Sequence, residues 1–273
     1  IDGEVREIRP GNVLHMPIGC KHTVIADTDL KIIEEQMLFD IGFKLYSPGH
    51  LIWLAAIVVA CVLFSNWYKK LPEANRVKTK KFFAIAILVS EILKDLVLWL
   101  AGAPMIEYLP LHLCSFAIFG ILIDAYGRWQ HITGQMIAFA FCPGAVSALL
   151  FCNWTELPFL NYLNIHSFVF HAWIVIYFIM LYRGGEIKPL YGGIWKTIGV
   201  VLVLAVPVFL FNLAFEQNYL FLNEASEGSP LVPVWNIFGT SFGLPGYIVG
   251  VLLLVIVVFH ILYNLMLLLM LHR

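Results

Sequence analysis

The chain has 273 residues, of which 60% are hydrophobic, 15% aromatic and only 13% charged, and its mean hydropathy is +0.84. That composition excludes an ordinary soluble domain and indicates an all-α polytopic membrane protein, while a net charge of -1 gives no sign of a nucleic-acid partner. The five cysteines, Cys20, Cys61, Cys114, Cys142 and Cys152, contain no C-x-x-C pair, which argues against a disulfide framework or a zinc module.

Residues 1–36 differ from the rest in being polar, β-prone and punctuated by Pro and Gly. The first thirty residues hold no charged n-region, apolar h-region or cleavage site, so no signal peptide is expected, and a start at Ile1 reads as a fragment's edge. The stretch GNVLHMPIGCKHTVIA resembles the second conserved cupin motif, with Gly11, Pro17, Gly19 and His22 in its positions and Ala26 where Asn is customary. The first cupin motif is absent, and His22 alone cannot make a metal site. Residues 1–36 are therefore expected to be the remnant of a fused or neighbouring cupin frame, with Met37 as a start for the membrane domain, 37–273.

Apolar runs of about 20 residues, the length that crosses about 30 Å of hydrocarbon, fall at 49–68, 82–101, 109–127, 132–152, 163–182, 194–216 and 245–271, predicting seven spans. The fourth carries Cys142-Pro143-Gly144, read as a break. Lys69, Lys70, Arg76, Lys78, Lys80 and Lys81 follow span one. Arg128 follows span three; Arg183, Lys188 and Lys196 follow span five; Arg273 ends the tail. The alternate loops hold Glu107, Glu156, Glu224 and Glu227 and neither Lys nor Arg. The positive-inside rule then predicts an outside N-terminus and a cytoplasmic C-terminus.

Ionisable residues inside spans are informative, because inserting a charge costs about 2.5–3.5 kcal/mol. Glu91, Lys94 and Asp95 share a face of span two and can neutralise one another, either as a structural cluster or as a catalytic acid or proton relay. His112 and Cys114 lie at the entrance of span three and His166 at that of span five, with His171 about 7.5 Å deeper along the helix. Three helices thus bring a thiol, imidazoles and carboxylates to one depth, in the outer half. Cys61, Cys142 and Cys152 read as packing residues, and His260 with Asn264 as a polar contact between helices.

The segments YLPLHLC, HSFVFHAWIVIYFIMLYRGG and NYLFLNEASEGSPL, in that order, resemble the bacterial YwaF-like membrane proteins, related to the animal transmembrane protein 164 family, over about residues 38–273. The animal branch is described as a lipid acyltransferase using a Cys and a His. Carried over by position, the resemblance implies Cys114 as nucleophile and His171 as base, the distance to Gly184-Gly185 favouring His171 over His166. The animal branch has a His directly after its Cys; Ser115 stands there in this chain and His112 precedes.

On that implication Cys114 attacks a phospholipid ester and His171 moves the proton, while His112 or His166 orients it or polarises the carbonyl. The acyl-cysteine then passes its chain to a lysophospholipid or to water, without a cofactor. The loop NYLFLNEASEGSPLVP covers the site, with Asn218 and Asn223 as donors. Two other readings remain open. One is a solute or ion transporter built on Glu91, Lys94, Asp95 and the broken fourth helix. The other is a non-catalytic metal-binding protein using His112, Cys114, His166 and His171, although H-x-C spacing in one helix does not place both side chains on one face unless the turn is irregular.

Overall fold

The computed structural model describes residues 42–127, 129–152, 154, 158–226 and 228–271. The cupin-like stretch 1–36, Met37 and the loop charges Arg128, Glu156, Glu227 and Arg273 lie outside the described residues. Among the described residues there are seven long helices and no strand: α1 (Pro48–Lys69), α2 (Glu73–Leu100), α3 (Leu113–Tyr126), α4 (Gln130–Leu150), α5 (Tyr162–Gly184), α6 (Tyr191–Phe215) and α7 (Val232–Leu271).

Five of these, α1, α4, α5, α6 and α7, are long and apolar enough to cross a membrane, against the seven spans expected. The other two fall short for different reasons. Helix α3 has 14 residues, about 21 Å of helix against about 30 Å of hydrocarbon. Helix α2 has 28 residues, but its apolar character is interrupted by Lys80, Lys81, Glu91, Lys94 and Asp95.

Helices α4 and α5 form the centre: 67% of the most apolar window of each is buried inside the protein, compared with 17% for α1 and α6 and 11% for α7. The outer helices turn Leu, Ile, Val and Phe away from the protein, as a helix that is apolar all round does when lipid surrounds it. Helix α1 begins with Pro48 in its first turn, where a missing N–H breaks no helical bond. Helix α5 is capped by Asn161, whose side chain accepts the Leu163 N–H at 2.8 Å, and it stops at Gly185 with φ +81°.

Two local features depart from the expectation. Helix α4 runs continuously through Cys142-Pro143-Gly144, with a π turn at Ile137–Phe141 directly before the proline. The wider turn makes room for the proline ring and accommodates its missing donor, so no gap opens. Helix α7 instead folds back on itself. Gly243 has φ +65° and ψ -159°, and Pro245 follows. The Trp235 and Tyr247 rings lie 5.0 Å apart, where a straight helix would hold them about 18 Å apart. Residues 232–242 therefore double back along 246–250, and the expected last span, 245–271, starts at the reversal. Gly246 and Gly250 permit the approach: a Cβ at Gly250 would lie 2.7 Å from the side chains of Phe238 and Val234.

A polar layer joins the helices at the end where α1 and α5 finish and α2 begins. Glu186 accepts the Tyr68 hydroxyl at 2.6 Å and pairs with Lys80 at 2.9 Å. Arg76 donates to the carbonyls of Gly184 at 3.2 Å and Lys69 at 2.8 Å, and Arg183 donates to Ser65 Oγ at 2.8 Å. Deeper in, Asp124 of α3 accepts from the Tyr177 hydroxyl at 2.7 Å and from Thr133 at 3.4 Å. This basic layer sets the spacing of α1, α2, α3 and α5, and hence where their opposite halves meet.

Substituting Gly250→Val is expected to destabilise the protein by about 1–3 kcal/mol through overpacking against Phe238 and Val234. Gly199→Ala, where a Cβ meets nothing within 4 Å, should be neutral or slightly stabilising. Thermal unfolding of both variants in the same detergent checks this, and equal midpoints would contradict the folded-back arrangement.

Candidate functional site

The site is assembled where α3 begins. His112 has φ -78° and ψ 156°, extended backbone that places it at the N-cap, just outside the helix. Cys114 is then the second helical residue and partly exposed. The H-x-C spacing is thus the irregular turn that brings both residues to one helix end. The Ser115 amide makes the first bond, to His112 O at 3.0 Å, and no side chain caps the helix. The Leu113 and Cys114 amides precede it and are donors without an intrahelical acceptor.

A strap from the segment between α6 and α7 closes over His112. Leu220 donates its N–H to His112 Nδ1 at 3.4 Å, and the imidazole sits between the rings of Tyr219, 5.0 Å away, and Phe221, 5.5 Å away. Leu220 has φ +58° and Phe221 φ +54°, a conformation that bulky residues adopt only when their surroundings impose it. Buried Asn212 of α6 imposes it, donating to Tyr219 O at 2.8 Å and accepting the Tyr219 N–H at 2.9 Å. The Tyr219 hydroxyl donates to Ile106 O and accepts the Leu109 N–H at 2.9 Å, and the Tyr247 hydroxyl donates to Phe221 O at 2.9 Å. Burial raises the pKa of Tyr219 and so keeps it neutral in this role.

Beside the strap is a cleft of about 180 Å³ lined by Glu107, His112, Gln217, Asn218, Tyr219 and Phe221. Asn218 lines it, but its amide is committed to the loop: Nδ2 donates to Glu224 O at 3.1 Å and Oδ1 accepts the Asn223 N–H at 3.1 Å. Asn223 Nδ2 likewise donates to Gln217 O at 2.9 Å. Both residues shape the loop with one N–H of each Nδ2, which carries two.

Helix α2 contributes the predicted charges. Lys94 Nζ lies 2.6 Å from Glu91 Oε1 and 3.2 Å from Asp95 Oδ1. Two carboxylates face one ammonium, and the fourth member comes from α5: His166 Nε2 is 3.9 Å from Glu91 Oε2, both side chains being 8% exposed. Five residues further along α5, His171 uses Nδ1 to reach Ser167 O at 2.7 Å and stacks on Trp154 at 5.3 Å. A carbonyl oxygen only accepts, so Nδ1 carries the proton and Nε2 keeps its lone pair. Among the described residues no hydrogen bond joins Cys114 to an imidazole, and no three or more His, Cys, Asp or Glu are grouped to hold a metal ion.

Sequence reasoning missed a second thiol–imidazole neighbour pair, Cys152 Sγ and His50 Nε2 at 4.0 Å. It lacks a usable base. His50 Nδ1 accepts the Tyr46 N–H at 2.9 Å and Nε2 donates to Leu149 O at 2.8 Å, so no lone pair remains to take a thiol proton. His260 meets the edges of Tyr191 and Trp195 on α6, while the Asn264 amide donates within its own helix to His260 O at 2.7 Å. The sequence signal available for His50 was its place two residues after the Pro48 that opens α1.

Replacing Asn212→Ala removes both bonds to Tyr219 and is expected to destabilise the strap by about 1–3 kcal/mol. Limited digestion with a glutamate-specific protease should then cut at Glu216 and Glu224 several-fold faster than in the wild type. Unchanged cleavage would show that Asn212 does not hold the strap.

Comparison with known proteins adds one finding: residues 45–263 match the model of the TMEM164 family. No curated protein and no solved structure matches the chain.

Proposed function

The chain belongs to the TMEM164 family, and on that premise we propose that it is a membrane-embedded acyltransferase or transacylase acting on phospholipids, with Cys114 as nucleophile and His171 as base. The observation that carries the reading is the state of the two partners. Cys114 stands at a helix start whose amides lack intrahelical acceptors, and His171 has its Nδ1–H fixed on Ser167 O, which leaves Nε2 to receive a proton.

In the proposed reaction His171 Nε2 takes the thiol proton and the Cys114 sulfur attacks the ester carbonyl carbon. The carbonyl electron pair moves onto oxygen, beside the Leu113 and Cys114 amides. On collapse the glycerol C–O bond breaks, His171 returns the proton to the departing lysolipid oxygen, and an acyl-cysteine remains. A lysophospholipid hydroxyl then repeats the sequence in reverse, giving transacylation; water in its place gives hydrolysis. The Glu91, Lys94, Asp95 and His166 cluster holds α2 against α5 and keeps this depth polar. The same proposal places the chain in the YwaF-like bacterial branch and in a cytoplasmic membrane, with seven spans, the site in the outer half and the basic layer inside.

The transport reading keeps the charged cluster but loses the broken fourth helix, since α4 is continuous. The metal reading finds no grouped ligands among the described residues.

In vesicles of phosphatidylcholine bearing an alkyne-tagged acyl chain, wild-type protein should acquire a hydroxylamine-sensitive label on Cys114. Cys114→Ser should lose it, and His171→Ala should acquire it about 10²–10⁴-fold more slowly. Retention of full transfer in both variants would refute the dyad. Orientation is checked separately in intact cells with an impermeant maleimide: a cysteine at Ser226 should react, and one at Lys188 should react only after permeabilisation.

A further inference from the structure

We infer that His112 is a catalytic residue of a different kind from His171: a hydrogen-bond donor to the carbonyl oxygen of the scissile ester, fixed in that state by the strap that covers it. The inference rests on the acyl-transfer reading and assigns a role at the same site.

The two rings are held by opposite partners. A backbone amide only donates, so the Leu220 N–H on His112 Nδ1 requires that nitrogen to be bare and places the proton on Nε2. A backbone carbonyl only accepts, so Ser167 O on His171 Nδ1 requires the reverse. His112 therefore presents an N–H and His171 a lone pair. Acyl transfer at a thiol needs one of each: an acceptor for the thiol proton, and donors for the oxygen on which charge develops.

Position agrees with this division. His112 is the N-cap of the helix whose second residue is Cys114, so its ring shares the helix end with the Leu113 and Cys114 amides. The ring also lines the cleft beside Tyr219 and Phe221. Its neighbours there are aromatic rings and the strap backbone, and among the described residues Glu107 is the one carboxylate lining the cleft. The strain at Leu220 and Phe221 has a consequence in this view: the turn that carries φ +58° and +54° is what aims the Leu220 amide at the ring.

When sulfur attacks and the C–S bond forms, the carbonyl π pair becomes an oxyanion that accepts from His112 Nε2–H and from the helix amides. When the glycerol C–O bond breaks, the pair returns to the carbonyl. His112 keeps its proton throughout, and the one proton moved travels through His171.

The test compares His112→Phe, which fills the space without a donor, and His112→Gln, which retains a side-chain N–H, in the alkyne-lipid assay. Alkylation of Cys114 by iodoacetamide is measured alongside; the sulfur displaces iodide, which needs the thiol but develops no oxyanion. For His112→Phe, acyl-cysteine formation should fall by about 10²–10³-fold with alkylation unchanged, and His112→Gln should recover at least tenfold. Full acylation in His112→Phe overturns the donor role and leaves the acyl-transfer reading standing. Parallel loss of acylation and alkylation also overturns it, assigning His112 to folding or thiol activation. A wild type that forms no acyl-cysteine overturns the acyl-transfer reading and the donor role with it.

Discussion

A charge moved into an apolar medium has to find its counter-charge there, and this chain meets that requirement at two levels of one bundle. At the basic end Glu186 gathers Tyr68 and Lys80 within 2.9 Å, and Asp124 is held by Tyr177 and Thr133. Toward the other end Glu91 stands between Lys94 and His166. Helices α2 and α5 carry members of both levels and α3 carries Asp124, so satisfying the first fixes how these helices sit at the second. The opening of α3, with Cys114 in it, is therefore positioned by pairs some distance along the helices from the thiol.

The two levels differ in completeness. At the basic end Glu186 and Asp124 both have donors within hydrogen-bond range. At the other level two carboxylates share one ammonium, and the buried His166 Nε2 has no hydrogen bond among the described residues, standing 3.9 Å from Glu91. The start of α3 adds two amides without intrahelical acceptors, and the strap over His112 adds backbone strain. Unfilled donors, backbone strain and a small cleft at one place are features that a structural layer removes and a reacting site retains.

The Asn212→Ala expectation shows where sequence reading stops. Helices α1 and α5 were legible from apolar run length, each within one or two residues of the reading at either end, whereas α2 starts at Glu73 in a polar stretch that run length passes over. The α2 charges were legible because three fall within one helical turn. Asp124 was not, because it stands alone in an apolar run and its partners Tyr177 and Thr133 are 53 and 9 residues away. The α7 reversal left a signal in Gly243, Pro245, Gly246 and Gly250, which run-length reading passes over because it counts apolar residues and ignores direction. The strap left none: Leu220 and Phe221 take positive φ only because Asn212, Ile106 and Tyr247 are present to hold the turn.

The ring nitrogen that each histidine leaves free follows from where the residue stands relative to its helix. Inside a helix, the backbone group within reach of Nδ1 is the carbonyl four residues back, and both His171 and His260 donate to it, at 2.7 Å from Ser167 O and 2.8 Å from Ile256 O. At a helix start no such carbonyl is in place, and Nδ1 meets an amide: Tyr46 N–H for His50 and Leu220 N–H for His112. His171 and His260 are thus left with an acceptor at Nε2, and His50 and His112 with a donor. His50 uses its donor on Leu149 O, within the fold. Among the described residues neither His112 nor His171 has a hydrogen-bond partner at Nε2, so one helix start and one helix interior supply the donor and the acceptor that the proposed acyl transfer at Cys114 requires.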